Sequence, residues 1–410
     1  MSRMRQMIRE QPVRVSFPGR NLLPFVVLAL GGFSVLPALG GEWPRPALIH
    51  MMLAAGMFPL ILAVMTWLVG TLTRTRGMPP WWIRMVPYLA AGAGMIAVTA
   101  LWHDLTWVLV AVPVAVLAVL LLLVWMGQQA RRAVGGYHPC LLWYLSALFC
   151  LTGGLLAIAG GVLWPEYWQP LRTIHLHLNL VGFVGITAVG TLHVLLPTVA
   201  GYAVDAGLAP GAMRQFDLLH VHWRYVLLGS WMAALGSAFW RPLSWMALPL
   251  WVIPLWAVWV PVWRHRRQFR LRQGAAVSLL GALLGFVLLL FAGIPIVLKW
   301  MAAEDAVPLF FIAFLLPLVT GAMTHLLPLW IWPAEQADRQ RRMGAALARG
   351  ALLRTVVLLG ASLALLAGLR TWALGMAVAV LGVFVLQVIT GFVITAQCHD
   401  FPGQDGCERS

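Results

Sequence analysis

The sequence predicts an all-α polytopic membrane protein of twelve transmembrane helices with both termini on the cytoplasmic side, and three observations carry that expectation. Of 410 residues, 61% are hydrophobic and only 10% are charged, whereas a soluble domain carries roughly a quarter charged residues. Apolar runs of about 20 residues recur along the whole chain, each long enough to cross a hydrocarbon core of roughly 30 Å. The cationic residues cluster between alternate runs instead of forming one patch, so the net charge of +15 reads as a topology signal and not as a nucleic-acid surface.

Taken in order, the first run, 22–39, follows Arg3, Arg5, Arg9, Arg14 and Arg20 without an A-x-A-like cleavage site, so it is expected to stay as an anchor. Spans 47–71 and 82–102 flank Arg74, Arg76 and Arg84, and 105–127 ends before Arg131 and Arg132. Spans 141–163, 174–197, 217–239 and 243–263 lead to the cluster Arg264 to Arg272. Spans 275–298 and 306–331 precede Arg339 to Arg354, and 350–368 and 372–395 complete the set. With the N-terminus inside, 22 cationic residues fall in cytoplasmic segments and five (Arg45, Arg172, Arg241, Lys299, Arg370) in outer loops, leaving Arg224 as the basic residue within a span. That asymmetry selects an N-in, C-in arrangement. Tryptophans such as Trp81, Trp82, Trp164 and Trp300 stand at span ends, where an indole anchors at the interface. The organisation is a basic segment 1–21, a twelve-span domain 22–396 and a tail 397–410. Of the classes of source, 27 arginines against one lysine and short loops suit a bacterial inner membrane.

Spans 2, 6 and 10 share a plan. Pro59, Gly185 and Pro317 sit mid-span, and eight residues later come Trp67, His193 and His325. Four spans separate each copy from the next, which implies three four-helix units in a pseudo-threefold arrangement, with sites at the unit interfaces.

Chemistry in the spans rests on histidine. The acidic residues, among them Glu42, Asp104, Glu166, Asp217, Glu304 and Asp305, fall in loops or at span ends, so there is no carboxylate relay for proton pumping. The cysteines Cys140, Cys150, Cys398 and Cys407 lack C-x-x-C spacing and read as bystanders. Seven histidines lie in or at the ends of spans, where an unpaired polar ring costs free energy unless it is bonded or ligated. His50, His175 and His177 form an outer layer, and His193, His220, His222 and His325 an inner one. A histidine at a span end serves as an interfacial hydrogen-bonder or as a ligand; neutral imidazoles from two facing helices suit haem iron or copper. At 100° per residue, His175 and His193 return to one face roughly 27 Å apart, and His177 turns away from His175. Asp217, His220 and Arg224 line one stripe of span 7 while His222 points elsewhere. Arg224 suits a haem propionate, a quinone oxygen or simply Asp217. His103, His138, His265 and His399, in loops or the tail, read as solvated.

The H-L-H-L-N-L-x-G-F-x-G-x-T stretch at 175–187, with His50 opening span 2 and the twelve-span threefold plan, resembles the haem–copper oxidase subunit I superfamily and more closely its small relative, the NnrS family. The resemblance covers most of the chain in topology, but its motifs are confined to spans 2, 6 and, loosely, 7 and 10. It implies haem, b-type, with copper as a second cofactor, and a role in nitric oxide metabolism or electron transfer with a quinone or a redox protein as partner. Carried over, His50 matches the span-2 haem ligand, and His175 or His177 the span-6 metal ligand. The chain departs from the oxidases in three places. Span 10 opens on Val307-Pro308 without histidine, span 7 carries its histidines on the inner side, and no His-Pro-Glu-x-Tyr element occurs in span 6. Oxygen reduction with proton pumping is therefore not expected. The competing readings are a histidine-lined metal or small-molecule permease and a catalytically silent scaffold subunit.

Overall fold

A computed structural model describes residues 19–40, 45–75, 77–133, 137–200, 210–264, 274–332 and 336–397. His265, His399, Cys398 and Cys407 lie outside the described residues. Among the described residues every regular element is helical. Ten helices are long and apolar enough to cross a membrane: α2 (Arg45–Thr73), α3 (Trp81–Trp102), α4 (Leu105–Arg132), α5 (Cys140–Leu163), α6 (Pro165–Ala200), α8 (Arg241–Arg264), α9 (Gly274–Ile296), α10 (Ala303–Ile331), α11 (Ala337–Leu366) and α12 (Arg370–Ala396). The protein is thus a polytopic membrane protein. The first and seventh expected spans are also helical: α1 (Leu23–Leu39) is shorter, and α7 (Pro210–Phe239) is outside those ten.

Three helices form the centre. The apolar windows of α2, α6 and α10 are 67%, 72% and 78% buried, against 28–56% for the other seven. Aromatic rings link them: Phe58 meets Phe183 at 6.0 Å between α2 and α6, and Trp67 meets Trp330 at 6.0 Å between α2 and α10. Around them α1 packs on α2, α5 on α6 and α9 on α10, while α3 with α4, α7 with α8 and α11 with α12 form close pairs. The same offset recurs between sets, α4 packing on α5, α8 on α9 and α12 on the end of α1.

The three central helices also share a local departure from α geometry. Each contains a π-helical segment: Met51–Met57 in α2, Leu178–Gly185 in α6 and Phe310–Leu315 in α10. Such residues make up well under about 1% of globular proteins. In α2 and α10 the cause is visible. Pro59 and Pro317 supply no N–H, so carbonyls one turn earlier lose their helical donor, and the widened turn is closed by Phe58 N–H to Leu53 O and Leu316 N–H to Phe311 O. In α6 the segment holds Gly182 and Gly185 instead, with Gly182 against the side chain of Cys150. Neighbouring backbones press on these turns, Gly94 of α3 against Ala54 and Gly285 of α9 against Ala313.

The π-turn corrects the helical-wheel expectation for α6. A widened turn holds more residues than an α turn, so counting 100° per residue from His175 to His193 does not carry across Leu178–Gly185.

Two basic residues inside helices have contrasting surroundings. Arg354, assigned to the cytoplasmic cluster from sequence, is buried at 4% exposure in the first turns of the α11 segment that restarts after Gly350, whose φ is 65°. Its guanidinium donates to the carbonyls of Leu347 at 2.9 Å and Arg349 at 2.7 Å and to Gln387 of α12, and lies over the Phe384 ring. It caps the carbonyl end of the preceding helical segment, which explains its tolerance there. Arg224, by contrast, is exposed and lies over Trp223.

At the His50 end, an ion cluster ties four helices. Arg370 of α12 meets Asp305 at 3.2 Å and Glu304 at 3.5 Å on α10 and donates to Leu39 O of α1, while Arg45 of α2 meets Glu304 at 2.7 Å. The Asp305 and Arg370 side chains are 13% and 21% exposed, Glu304 59%. We expect Asp305→Asn to cost about 1–3 kcal/mol, because it strands a largely buried arginine. Glu304→Gln should cost less than about 1 kcal/mol, being screened. Thermal melts in detergent read the difference.

Candidate metal-binding histidines

His50 closes the first α-helical turns of α2, directly before its π segment, and its Nδ1 lies 2.7 Å from Pro46 O. His175 lies three residues before the π segment of α6, with Nδ1 2.9 Å from Gly154 O of α5. A carbonyl oxygen only accepts, so each Nδ1 carries the proton and each Nε2 keeps a lone pair, the state in which imidazole ligates a metal. The two rings face each other across α2 and α6, centroids 6.0 Å apart and planes inclined by 6°. A metal ion bonded to one nitrogen of each ring at about 2.0–2.1 Å sets the nitrogens roughly 4 Å and the centroids roughly 6 Å apart. The centroid spacing is that of a two-histidine site whose ring edges, where the nitrogen lone pairs lie, turn toward the metal.

The surroundings hold His175 in place. The Asn179 carboxamide lies within hydrogen-bond distance of the ring, as the i, i+4 spacing implies, and with Nδ1 protonated it is the carboxamide oxygen, otherwise without a partner, that can accept there. Gly154 makes room, since a Cβ there would lie 2.8 Å from Asn179 Oδ1. His177 turns away from this pair, as its phase predicts. It donates from Nδ1 to Thr173 O at 3.0 Å and accepts from Ser237 of α7 at 3.2 Å, and Ser237 reaches Ser244 of α8 at 3.2 Å. Both ring nitrogens of His177 are thus satisfied in tying α6 to the α7–α8 pair.

The inner layer assembles in part. His193 is 5% and His222 6% exposed. His193 donates from Nδ1 to Val189 O at 2.8 Å and packs 5.1 Å from Trp143, whose indole N–H is fixed by Leu219 O at 3.1 Å. His220 is exposed on α7, beside Tyr137 at 6.5 Å, so the predicted divergence of His220 and Arg224 from His222 holds. The Asp217 side chain lies outside the described part of α7. His325 is half-buried on α10, and no ring or hydrogen-bond contact joins it to another described histidine. Among the described residues, no three His, Cys, Asp or Glu side chains converge on one point.

His138 corrects the solvated reading. Its N–H donates to Leu72 O, its Nδ1 accepts from Cys140 N–H at 3.1 Å, and it stands within electrostatic reach of His193, His220 and Arg74. Burial first, then His220 and Arg74, push its pKa down to about 4. A group that stays neutral when folded but titrates near 6.5 when unfolded binds fewer protons in the native state across that interval. Its contribution is therefore full above about pH 6.5 and lost as pH falls toward about 4. His138→Gln should flatten the acid limb of a stability–pH curve; an unchanged limb would assign that limb to other groups.

No family model matches the chain, and no curated protein sequence matches it. Fold and site together define a class: a polytopic all-helical membrane protein in which two central helices present facing imidazoles.

Proposed function

We propose that the chain is a haem-binding protein of the bacterial inner membrane, NnrS-like, working in electron transfer or in nitric oxide- or copper-related metabolism. The carrying observation is the near-parallel His50 and His175 rings at 6.0 Å, each with its Nδ1 on a carbonyl. In this reading His50 and His175 would hold a b-type haem, which when bound would supply one-electron redox chemistry. The protein's part is to fix both tautomers, to hold His175 with Asn179 and Gly154, and to set the two half-buried rings beside each other between α2 and α6. A quinone or a redox protein donates the electrons. The recurrent packing offsets and the three π segments support three four-helix units, hence twelve spans with both termini on one side, and the arginine asymmetry makes that side the cytoplasm.

A reduced-minus-oxidised spectrum of purified protein, with pyridine haemochrome and copper analysis, tests the reading. Sharp α bands are the expected result. Protein made with adequate haem yet colourless would leave the permease, recognised by metal-dependent flux, or the scaffold, recognised by neither property alone. Periplasmic reporter fusions near residues 103 and 164 should be active, and near 133 silent, under the proposed topology.

A further inference from the structure

A cavity of about 330 Å³ opens where the start of α1, the second half of α2 and the start of α3 meet. Its volume falls within the roughly 300–1,000 Å³ of small-ligand sites. The floor is buried, with Phe25 and Ala63 each 2% exposed and Thr66 3%. The rim is open and carries Asn21, Trp81, Arg84 and Tyr88. Tyr88 packs edge-on against Phe25, ring centroids 4.9 Å apart, which fixes the phenol at the mouth. Consecutive spans run in opposite directions, so the beginning of α1, the end of α2 and the beginning of α3 reach one membrane face. Trp81 and Tyr88, 69% and 50% exposed, are the residue types that settle at headgroup depth.

The polar groups at the rim define the occupant. Among the described residues no hydrogen bond or ion pair engages the Arg84 guanidinium, the Asn21 carboxamide or the Tyr88 hydroxyl. Arginine presents paired N–H donors that match a phosphate, and basic pockets between transmembrane helices take anionic headgroups. Deeper in, Thr66 Oγ1 donates to Leu62 O at 2.9 Å, which leaves its lone pairs to accept from a ligand hydroxyl. The chain's own segment 1–18 is a poor occupant on charge, with Arg3, Arg5, Arg9 and Arg14 against Glu10. We propose that the cavity binds one anionic phospholipid whose headgroup carries a hydroxyl, with the phosphate on Arg84, Asn21 and Tyr88 and the hydroxyl toward Thr66. The site is remote in sequence from His50 and His175 and independent of whether that pair holds haem.

Native mass spectrometry of the delipidated full-length protein, titrated with phosphatidylglycerol or phosphatidylcholine, counts the bound lipid. We expect one phosphatidylglycerol to bind about tenfold or more tightly than phosphatidylcholine, as charge-assisted hydrogen bonds imply. Arg84→Gln, at an exposed position that the fold does not need, should abolish that preference. Arg131→Gln removes the same charge from the exposed end of α4 and should leave it intact. Ala63→Leu fills the floor without touching any charge and should weaken binding while the protein stays monodisperse. An unchanged preference in Arg84→Gln, or equal losses in Arg84→Gln and Arg131→Gln, would overturn the site in favour of diffuse surface charge. Full affinity in Ala63→Leu, or release of the lipid by millimolar inorganic phosphate, would overturn it too, the latter making a free anion the occupant.

Discussion

We expect His50→Ala and His175→Ala each to remove the Soret band that the proposed haem would give the purified protein, while leaving it monodisperse and helical. Each substitution would delete one of the two imidazoles proposed to hold the haem, leaving the other without its neighbour 6.0 Å away. The fold should tolerate both changes, because neither ring ties two helices with both its nitrogens as His177 does. His177→Ala supplies the contrast. Haem content should hold near wild type, while the melting temperature falls with loss of the Ser237 tie between α6 and α7. Unchanged haem in both His50→Ala and His175→Ala would sink the assignment of the pair.

Gly285→Ala carries the largest expected effect on folding. A Cβ at this position would land on the Ala313 carbonyl, which is backbone and cannot rotate aside. Close approach through small residues is what lets helices pack in a bilayer without side chains between them. Forcing α9 from α10 opens the most buried helix of the bundle, so the cost should reach the upper end of about 1–3 kcal/mol or exceed it. Gly94→Ala, against Ala54 of α2, should act similarly. Gly375→Ala, where nothing lies within 4 Å, should be neutral or slightly stabilising. Expression level and thermal melts in detergent compare the three; equal behaviour of Gly285→Ala and Gly375→Ala would refute the close-packing account.

The shared pattern of Pro59, Gly185 and Pro317 was legible because proline and glycine mark backbone irregularity directly in the sequence, and the three π segments lie at or just before those positions. The facing of His50 and His175 was legible only as far as their common layer. Phase within α6 was not, since a wheel presumes an uninterrupted α-helix. His138 escaped because it is three-dimensional packing against Leu72 and Cys140, and not hydropathy, that takes a loop residue into the cluster. The burial of Arg354 escaped because its acceptors are carbonyls exposed by the break at Gly350. Carbonyl positions are invisible in a residue string.

The π segment of α6 separates His175 from His193 along one continuous helix. Deleting a single residue between Leu178 and Gly185 would let the turn relax to α geometry, with His175 kept beside His50 and His193 kept against Trp143. The irregular turn thus works as a slack joint between the two histidine layers, taking up one residue more or less without re-aiming either end of the helix.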